Sequence, residues 1–176
     1  ENLSIKEPKN LAIKFINKFD KIIKIKEKNN KIYFSRHKKT RLKKNIFLGQ
    51  KFNPNIIEKK NKSEFIKIRF NQCFASPSTR CMETAKIVCK NKKIIKNNNL
   101  KEIDYGSAEG LNFKELNIKY PQINKAWKKG LDPKFPNGES LSSVSIRLSK
   151  FINDQLISKK NTKNFNYLIF THNVIL

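Results

Sequence analysis

The chain has two histidines, and each directly follows an apolar, β-prone run. His37 comes after "IYFSR", and His172 comes after "YLIFT". Ligands collect at the ends of strands in open α/β sheets, so these matched positions favour a functional role for both side chains. Either histidine taken alone would more commonly be a solvated or a core residue. A neutral imidazole can act as a nucleophile at neutral pH, because the ordinary histidine pKa is about 6.5.

Two arginines accompany these histidines. Arg36 directly precedes His37, and Arg80 lies in "ASPSTR", where Pro77 turns the chain into the first turn of a predicted helix. Helix N-termini attract anions through their free backbone N–H groups, and an arginine there adds a bidentate clamp for phosphate. For Arg80 alone, a surface salt bridge is the alternative. Together with the histidines, the two arginines predict a phosphate site.

A carboxylate is the remaining group that phosphoryl chemistry needs. A carboxyl group beside a bound phosphoryl group can have a raised pKa and can protonate a leaving alkoxide. Glu102 in "LKEIDYG" is the first candidate, and Asp104 and Glu109 are nearby rivals. Spacing alone does not choose among the three. A solvated loop carboxylate is the commoner interpretation of any one of them.

Strands that alternate with helices must position these residues. The predicted strands are 31–35, 72–76, a short one at 94–97, and 166–172. The predicted helices are 9–28, 78–90, 113–119, 121–129 and 139–158. Gly106 and Gly110 mark turns. This alternation predicts an α/β layer fold with at least partly parallel strand pairing.

Composition narrows the class of protein. At 176 residues the chain suits one domain, and no apolar run approaches the roughly 20 residues of a membrane span. The net charge of +25 comes from 34 Lys and 5 Arg. The lysines are spread along the whole chain, so solvated faces explain them better than a nucleic-acid surface, which would use arginine heavily.

The odd number of cysteines predicts reduced core residues, namely Cys73, Cys81 and Cys89, and a cytoplasmic location.

Six motifs in order along residues 31–176 resemble the histidine phosphatase superfamily, also called the phosphoglycerate mutase-like family. The motifs are "RHKKT", "SPSTRCMETA", "LKEIDYGSAEGL", "YPQINKAWKKG", "GESLSSVSIR" and "YLIFTH". The resemblance implies a three-layer α/β sandwich with a mostly parallel central sheet. It implies a histidine phosphatase domain over residues 31–176 that is cut short at its C-terminal end. Residues 1–30 are then a basic helical segment, or the end of a preceding domain.

The resemblance also implies roles for individual residues. His37 is the nucleophile that becomes phosphorylated, and Glu102 is the general acid and base. The phosphoryl oxygens are bound by Arg36, Arg80 and His172. Thr40 and Asn45 are implied to be substrate-loop residues. No metal and no cofactor is implied, because cationic side chains neutralise the phosphoryl charge.

The expected function is a metal-independent phosphomonoester hydrolase that acts on a small phosphorylated substrate. The segment "EIDYGSAEGL", with no long insertion after it, is more similar to the phosphatases than to the mutases of the family. A phosphoglycerate mutase-type phosphotransferase is one alternative. A polyanion-binding relative is the other, in which Lys38, at the position of the family's glycine, has impaired the pocket. Neither a membrane nor nucleic acid is an expected partner.

Overall fold

The computed structural model describes residues 31–42, 45–57, 70–90, 92–157 and 166–176. The predicted helix at 9–28, and with it the proposed N-terminal segment 1–30, lies outside the described residues. None of the described helices has the length and apolar character needed to cross a bilayer.

The centre of the fold is a four-stranded sheet in which every pair of neighbouring strands is parallel. Its strands are Lys31–Arg36 (β1), Gln72–Ala75 (β2), Ile94–Lys96 (β3) and Asn166–Thr171 (β4). The order across the sheet is β1-β4-β2-β3, so the last strand in the sequence lies between the first two. Because the strands are parallel, their carboxyl ends meet at one edge of the sheet.

Four α-helices surround the sheet in the described part of the chain. They are Thr79–Cys89 (α1), Phe113–Lys119 (α2), Pro121–Lys128 (α3) and Leu141–Ile152 (α4), the last continued by a π-helical turn, Asn153–Ile157. The sequence predicted that α4 starts at about residue 139, and the helix begins at Leu141. The helix begins later because Ser140 is its N-cap, with a side chain that accepts a hydrogen bond from the N–H of Ser143. Asp132 also accepts hydrogen bonds from the Leu141 and Ser142 N–H groups.

The two faces of the sheet are both covered, which gives three layers. On one face, Cys73, Leu168 and Phe170 form a core with Cys81 and Ala85 of α1. On the other face, alternate residues of the same strands pack against α4; they are Phe74, Tyr167 and Ile169, in contact with Phe151 and Ile152. This burial on both faces explains why the central strands are almost uniformly apolar. The predicted three-layer α/β architecture is confirmed.

The cysteines and the turn glycines lie where the sequence predicts them. Cys73, Cys81 and Cys89 are all buried and unpaired. Gly106 and Gly110 both have a positive φ, of 54° and 88°. At Gly106 a side chain is excluded by space as well, because an added Cβ would lie 2.1 Å from the Pro136 carbonyl oxygen.

Candidate active site

His37 directly follows β1, and its backbone N–H donates to the Thr171 carbonyl of β4 at 3.1 Å. The pairing brings its ring beside that of His172, with 5.2 Å between the ring centroids. Nδ1 lies 2.8 Å from the Lys38 carbonyl oxygen, which can only accept, so Nδ1 carries the proton and Nε2 the lone pair. Burial, with smaller contributions from Arg80 and Arg36, lowers the pKa of His37 to about 4. The ring is therefore neutral at pH 7.

Arg80 lies in the first turn of α1, where it is 1% exposed. Its guanidinium donates to three acceptors, His172 Nδ1 at 3.3 Å, the Phe52 carbonyl at 3.1 Å and the Gly49 carbonyl at 2.8 Å. Burial lowers the pKa of Arg80, but arginine begins so high that it stays charged. No carboxylate of the described residues lies within ion-pair distance of this guanidinium. Glu102 and Glu109 offset its charge only from a longer distance, and a buried cation without a close carboxylate partner favours an anionic ligand.

His172 follows β4 and has no exposed surface. Its Nδ1 accepts from Arg80, so the ring proton is on Nε2, which lies 2.9 Å from Ser76 Oγ and 3.3 Å from Ser78 Oγ. Burial, followed by the charge of Arg80 and by His37, lowers the pKa of His172 to about 2. The side chain is consequently a neutral hydrogen-bond donor.

Glu102 is 5% exposed, and its Oε1 accepts a hydrogen bond from the Ile103 N–H at 3.0 Å. Burial raises the pKa of this carboxyl group above its ordinary value, although backbone N–H donors and Arg80 act in the opposite direction. Such a group retains its proton at a higher pH than a solvated glutamate does. It therefore has the property that a general acid requires.

The two rival carboxylates are engaged elsewhere. Glu109 accepts hydrogen bonds from four successive backbone N–H groups, those of residues 49–52, at distances from 2.7 to 3.1 Å. Asp104 accepts from the Gly106 N–H at 2.8 Å and so closes a turn. The structure leaves Glu102 as the carboxyl group that faces the cleft.

A cleft of about 280 Å³ joins these groups at the carboxyl edge of the sheet. Its lining includes Ser76, Ser78, Arg80, Lys101, Glu102 and His172. His37 and Arg36 are not among the described residues that line the cleft. The ring of His37 contacts that of His172, and Arg36 is the exposed last residue of β1. Within the described residues, no group of three or more His, Cys, Asp or Glu is arranged to hold a metal ion.

The implied substrate-loop residues lie apart from this lining. Thr40 forms an isolated antiparallel bridge with Ile56, and Asn45 is exposed with a φ of 65°. Neither is among the residues that line the cleft in the described part of the chain. Their role in substrate binding stays a prediction.

Lys38 uses both of its backbone groups at the site. Its carbonyl accepts the hydrogen bond from His37, and its N–H donates to Thr84 Oγ1 at 3.0 Å. Thr84 Oγ1 donates in turn to the Arg80 carbonyl at 2.7 Å. The residue at the family's glycine position thus ties His37 to α1 through backbone contacts.

An ion pair supports the loop that carries Glu102, and sequence reasoning did not identify it. Arg147 Nε lies 2.9 Å from Glu139 Oε1, and the same guanidinium donates to the carbonyls of Asn99 at 2.8 Å and Glu102 at 3.1 Å. Glu139 also accepts from the Asp104 N–H at 2.9 Å. Both members of the pair lie in the motif "GESLSSVSIR". The motif marks the two residues, but it does not indicate that their side chains form an ion pair.

Comparison with known proteins identifies the family of the chain. Residues 59–176 match the model of the histidine phosphatase superfamily (branch 1), a range that includes Arg80, Glu102 and His172 and begins after His37. Phosphoserine phosphatase 1 of Hydrogenobacter thermophilus is 31% identical over 104 residues, which are 57% of this chain and 48% of that protein. The 2,3-bisphosphoglycerate-dependent phosphoglycerate mutase 2 of Gloeobacter violaceus is 25% identical over 111 residues, 60% of this chain and 50% of that protein. The chain thus spans about half the length of these two relatives.

Solved structures share the fold. A mycobacterial glucosyl-3-phosphoglycerate phosphatase has a TM-score of 0.66 at 17% identity, with 81% of this chain and 73% of that one covered. A putative α-ribazole-5'-P phosphatase of Escherichia coli has a TM-score of 0.66 at 18% identity, with 82% and 74% covered. By its motifs, its fold and its match to the family model, the chain belongs to the histidine phosphatase superfamily.

Proposed function

We propose that the protein is a metal-independent phosphomonoester hydrolase that works through a phosphohistidine on His37. The observation that carries the proposal is the buried Arg80 cation, which has no carboxylate partner among the described residues and lies in contact with His172. A phosphoryl group bound there would meet a fixed cation, a neutral imidazole donor and the lone pair of His37. The names of the phosphatase relatives are consistent with this activity.

In the first half-reaction, the Nε2 lone pair of His37 attacks phosphorus and forms the P–N bond. The P–O bond to the alcohol breaks, and the proton of Glu102 passes to the leaving oxygen. Arg80, His172 and Arg36 hold the phosphoryl oxygens while charge redistributes over them. Covalent catalysis of this kind divides one difficult displacement into two easier ones.

In the second half-reaction, Glu102 is ionised and acts as the base. A water molecule gives its proton to this carboxylate as its oxygen attacks phosphorus. The P–N bond then breaks, its electron pair returns to Nε2 of His37, and inorganic phosphate leaves. The same carboxyl group serves as acid and then as base, and the cycle ends with every group in its starting state.

A phosphotransferase of the mutase type is the second candidate, and the likeness to phosphoglycerate mutases favours it. Such an enzyme would return the phosphoryl group to an alcohol and would depend on a bisphosphate primer. The release of inorganic phosphate without a primer separates the two activities.

A cytoplasmic location is also part of the proposal, because three buried, unpaired cysteines suit a reducing compartment.

The test is hydrolysis of phenyl phosphate in the presence of EDTA. The wild-type protein should release inorganic phosphate, and His37→Ala should lower the rate at least about a thousandfold, because the nucleophile is lost. Rapid quenching with labelled substrate should trap a phosphoenzyme in the wild type and none in the variant. Circular dichroism serves as the folding control. Undiminished turnover by His37→Ala, or loss of wild-type activity in EDTA, would falsify the proposal.

A further inference from the structure

Beside Glu102, the cleft carries two polar side chains without protein partners. Lys101 and Asn98 both line the cleft, together with Arg80, Glu102 and His172. Within the described part of the chain, no hydrogen bond or ion pair engages the Lys101 ammonium or the Asn98 amide. A half-buried ammonium without a counter-ion is a favourable place for an anion.

Other polar side chains of the cleft are already committed. Gln50 Nε2 donates to the Glu102 carbonyl at 2.8 Å, and Asn53 Oδ1 accepts from the Thr79 N–H at 2.7 Å. Arg80 has its three acceptors. Among the described lining residues, Lys101 is therefore the cation whose side-chain N–H donors make no hydrogen bond to the walls of the cleft.

The turn that presents these two side chains is firmly held. Asn98–Leu100 is a 3₁₀ turn, closed by the Lys101 N–H, which donates to the Asn98 carbonyl at 3.2 Å. Thr171 Oγ1 donates to the Leu100 carbonyl at 2.9 Å, and Arg147 donates to the Asn99 carbonyl at 2.8 Å. The cation is thus carried on a fixed piece of backbone, although its own side chain is long.

The position of Lys101 relates it to the part of the substrate that leaves. Under the proposed function, Glu102 protonates the leaving oxygen, so the alcohol portion lies on the Glu102 side of the cleft. Lys101 directly precedes Glu102, and the Cα atoms of neighbours are about 3.8 Å apart. Its ammonium can therefore reach a group attached to the leaving alcohol, while Arg80 and His172 hold the phosphoryl group.

We propose that Lys101, assisted by Asn98, selects phosphomonoesters whose alcohol portion carries a second anionic group, a carboxylate or a second phosphate. The inference rests on the proposed function, because it takes Glu102 as the group at the leaving oxygen. A lysine ammonium is a compact point charge, so it pairs with either kind of anion. An amide donor beside it adds a hydrogen bond to the same group.

The test compares matched substrates. One pair is 3-phosphoglycerate and glycerol 3-phosphate, which differ in a carboxylate; the other is the bisphosphate and the monophosphate of propane-1,3-diol. The measured quantity is the ratio of kcat/KM within each pair. The wild type should prefer the anionic member about tenfold or more, and Lys101→Met should lower that ratio about tenfold, as for loss of a hydrogen bond to a charged group. Lys101→Arg should retain most of it.

Lys93→Met is the control, because Lys93 is exposed just before the amino end of β3, opposite the cleft. It should leave the ratios unchanged. A ratio that falls in only one pair supports the proposal and identifies the anion. Wild-type hydrolysis without preference in either pair, or a preference that Lys101→Met leaves intact, overturns the inference while the phosphatase assignment stands. Failure to hydrolyse any of the four substrates or phenyl phosphate overturns both.

Discussion

His37 and His172 lie side by side at the ends of neighbouring strands, yet their rings carry opposite tautomers. A carbonyl oxygen fixes the proton of His37 on Nδ1, whereas the Arg80 guanidinium fixes the proton of His172 on Nε2. One ring therefore offers a lone pair and the other a donor. The sequence predicted both positions, but the tautomers depend on contacts with Lys38 and Arg80 that spacing does not show.

Both histidines should remain neutral from pH 8 down to pH 5.5. Burial disfavours the charged form, with pKa values of about 4 and 2, so each ring gains a proton only well below the ordinary histidine range. Long-range ¹⁵N–¹H spectra of the free protein should show an Nδ1–H ring and an Nε2–H ring. His37→Gln assigns the signals. Titration of either ring near pH 6.5, or two identical tautomers, contradicts the described geometry.

At the scale of elements, two carboxylates in the loops hold the site together. Glu109 collects the N–H groups of residues 49–52, and two carbonyls of that same loop hold Arg80. Arg147 of α4 and Glu139, which lies just before that helix, brace the loop of Glu102. Spacing alone could not choose among Glu102, Asp104 and Glu109, and only the family resemblance implied Glu102. The hydrogen bonds that engage Glu109 join residues 57 to 60 positions apart, which no local pattern shows.

Glu109→Gln should weaken both the fold and the binding of phosphate. The glutamine amide has one acceptor oxygen, and its NH₂ group would face N–H donors that lose their acceptor. Of the four donors, the N–H groups of Gly49 and Gln50 are partly buried, and an unsatisfied buried donor costs about 1–3 kcal/mol, so we expect about 2 kcal/mol less free energy of unfolding. Denaturant titration measures this, and inhibition by inorganic phosphate should weaken in parallel. Asp154→Asn, at an exposed position after α4, is the control. Equal stability of the two variants would show that the hydrogen bonds from residues 49–52 to Glu109 do not stabilise the fold.

Arg147→Lys should alter the pH dependence of turnover. Lysine cannot hold the Glu139 carboxylate and two carbonyls at once, so the loop of Glu102 would loosen and the carboxyl group would gain contact with water. Its raised pKa would then fall toward the ordinary glutamate value. Under the proposed mechanism Glu102 must be protonated to act as the acid, so the alkaline limb of the kcat/KM profile should move to lower pH. An unchanged alkaline limb, with activity lowered only overall, would indicate a merely structural role.

The glycine turn after the Glu102 loop provides a matched pair of substitutions. Gly106→Ala places a Cβ 2.1 Å from the Pro136 carbonyl at a φ of 54°, whereas Gly130→Ala meets nothing within 4 Å at a φ of 68°. Gly130→Ala should lower the free energy of unfolding by about 1 kcal/mol, because only its backbone conformation is unfavourable for alanine. Gly106→Ala should lower it by about 3 kcal/mol or more, because the neighbouring backbone must also move. Thermal unfolding measures both, and similar losses would refute the steric difference.

Periodicity predicted most elements of the fold, because apolar spacing reports burial directly. Strands β1, β2 and β4 are apolar on both faces, and α2 and α3 have clear starts at Asn112 and Pro121. Helix α4 begins at Leu141 and not at about residue 139, because Ser140 is its N-cap and Asp132, nine residues before Leu141, accepts hydrogen bonds from its first N–H groups. What could not be predicted consists of long-range contacts, which no local pattern encodes.

At the scale of the whole molecule, the charge of +25 opposes folding. Like charges repel one another across a compact surface, and salt shortens the range of that repulsion from about 30 Å at 0.01 M to about 8 Å at 0.15 M. We expect the thermal midpoint to rise by several degrees between these concentrations. NaCl and NaF should give equal rises if screening is the cause. A midpoint that stays level or falls would show that the lysines are already compensated.

The order of the strands also governs when the site can form. β1 pairs with β4, and β4 alone links β1 to β2 within the described sheet. During synthesis, the strand that aims His37 must wait for Asn166–Thr171 to leave the ribosome before it gains this partner. Contacts between such distant segments form late, because the entropy of closing the intervening chain is lost first. Until Asn166–Thr171 is available, the apolar edges of β1 and β2 that β4 covers stay open, and His37 and His172 cannot come together.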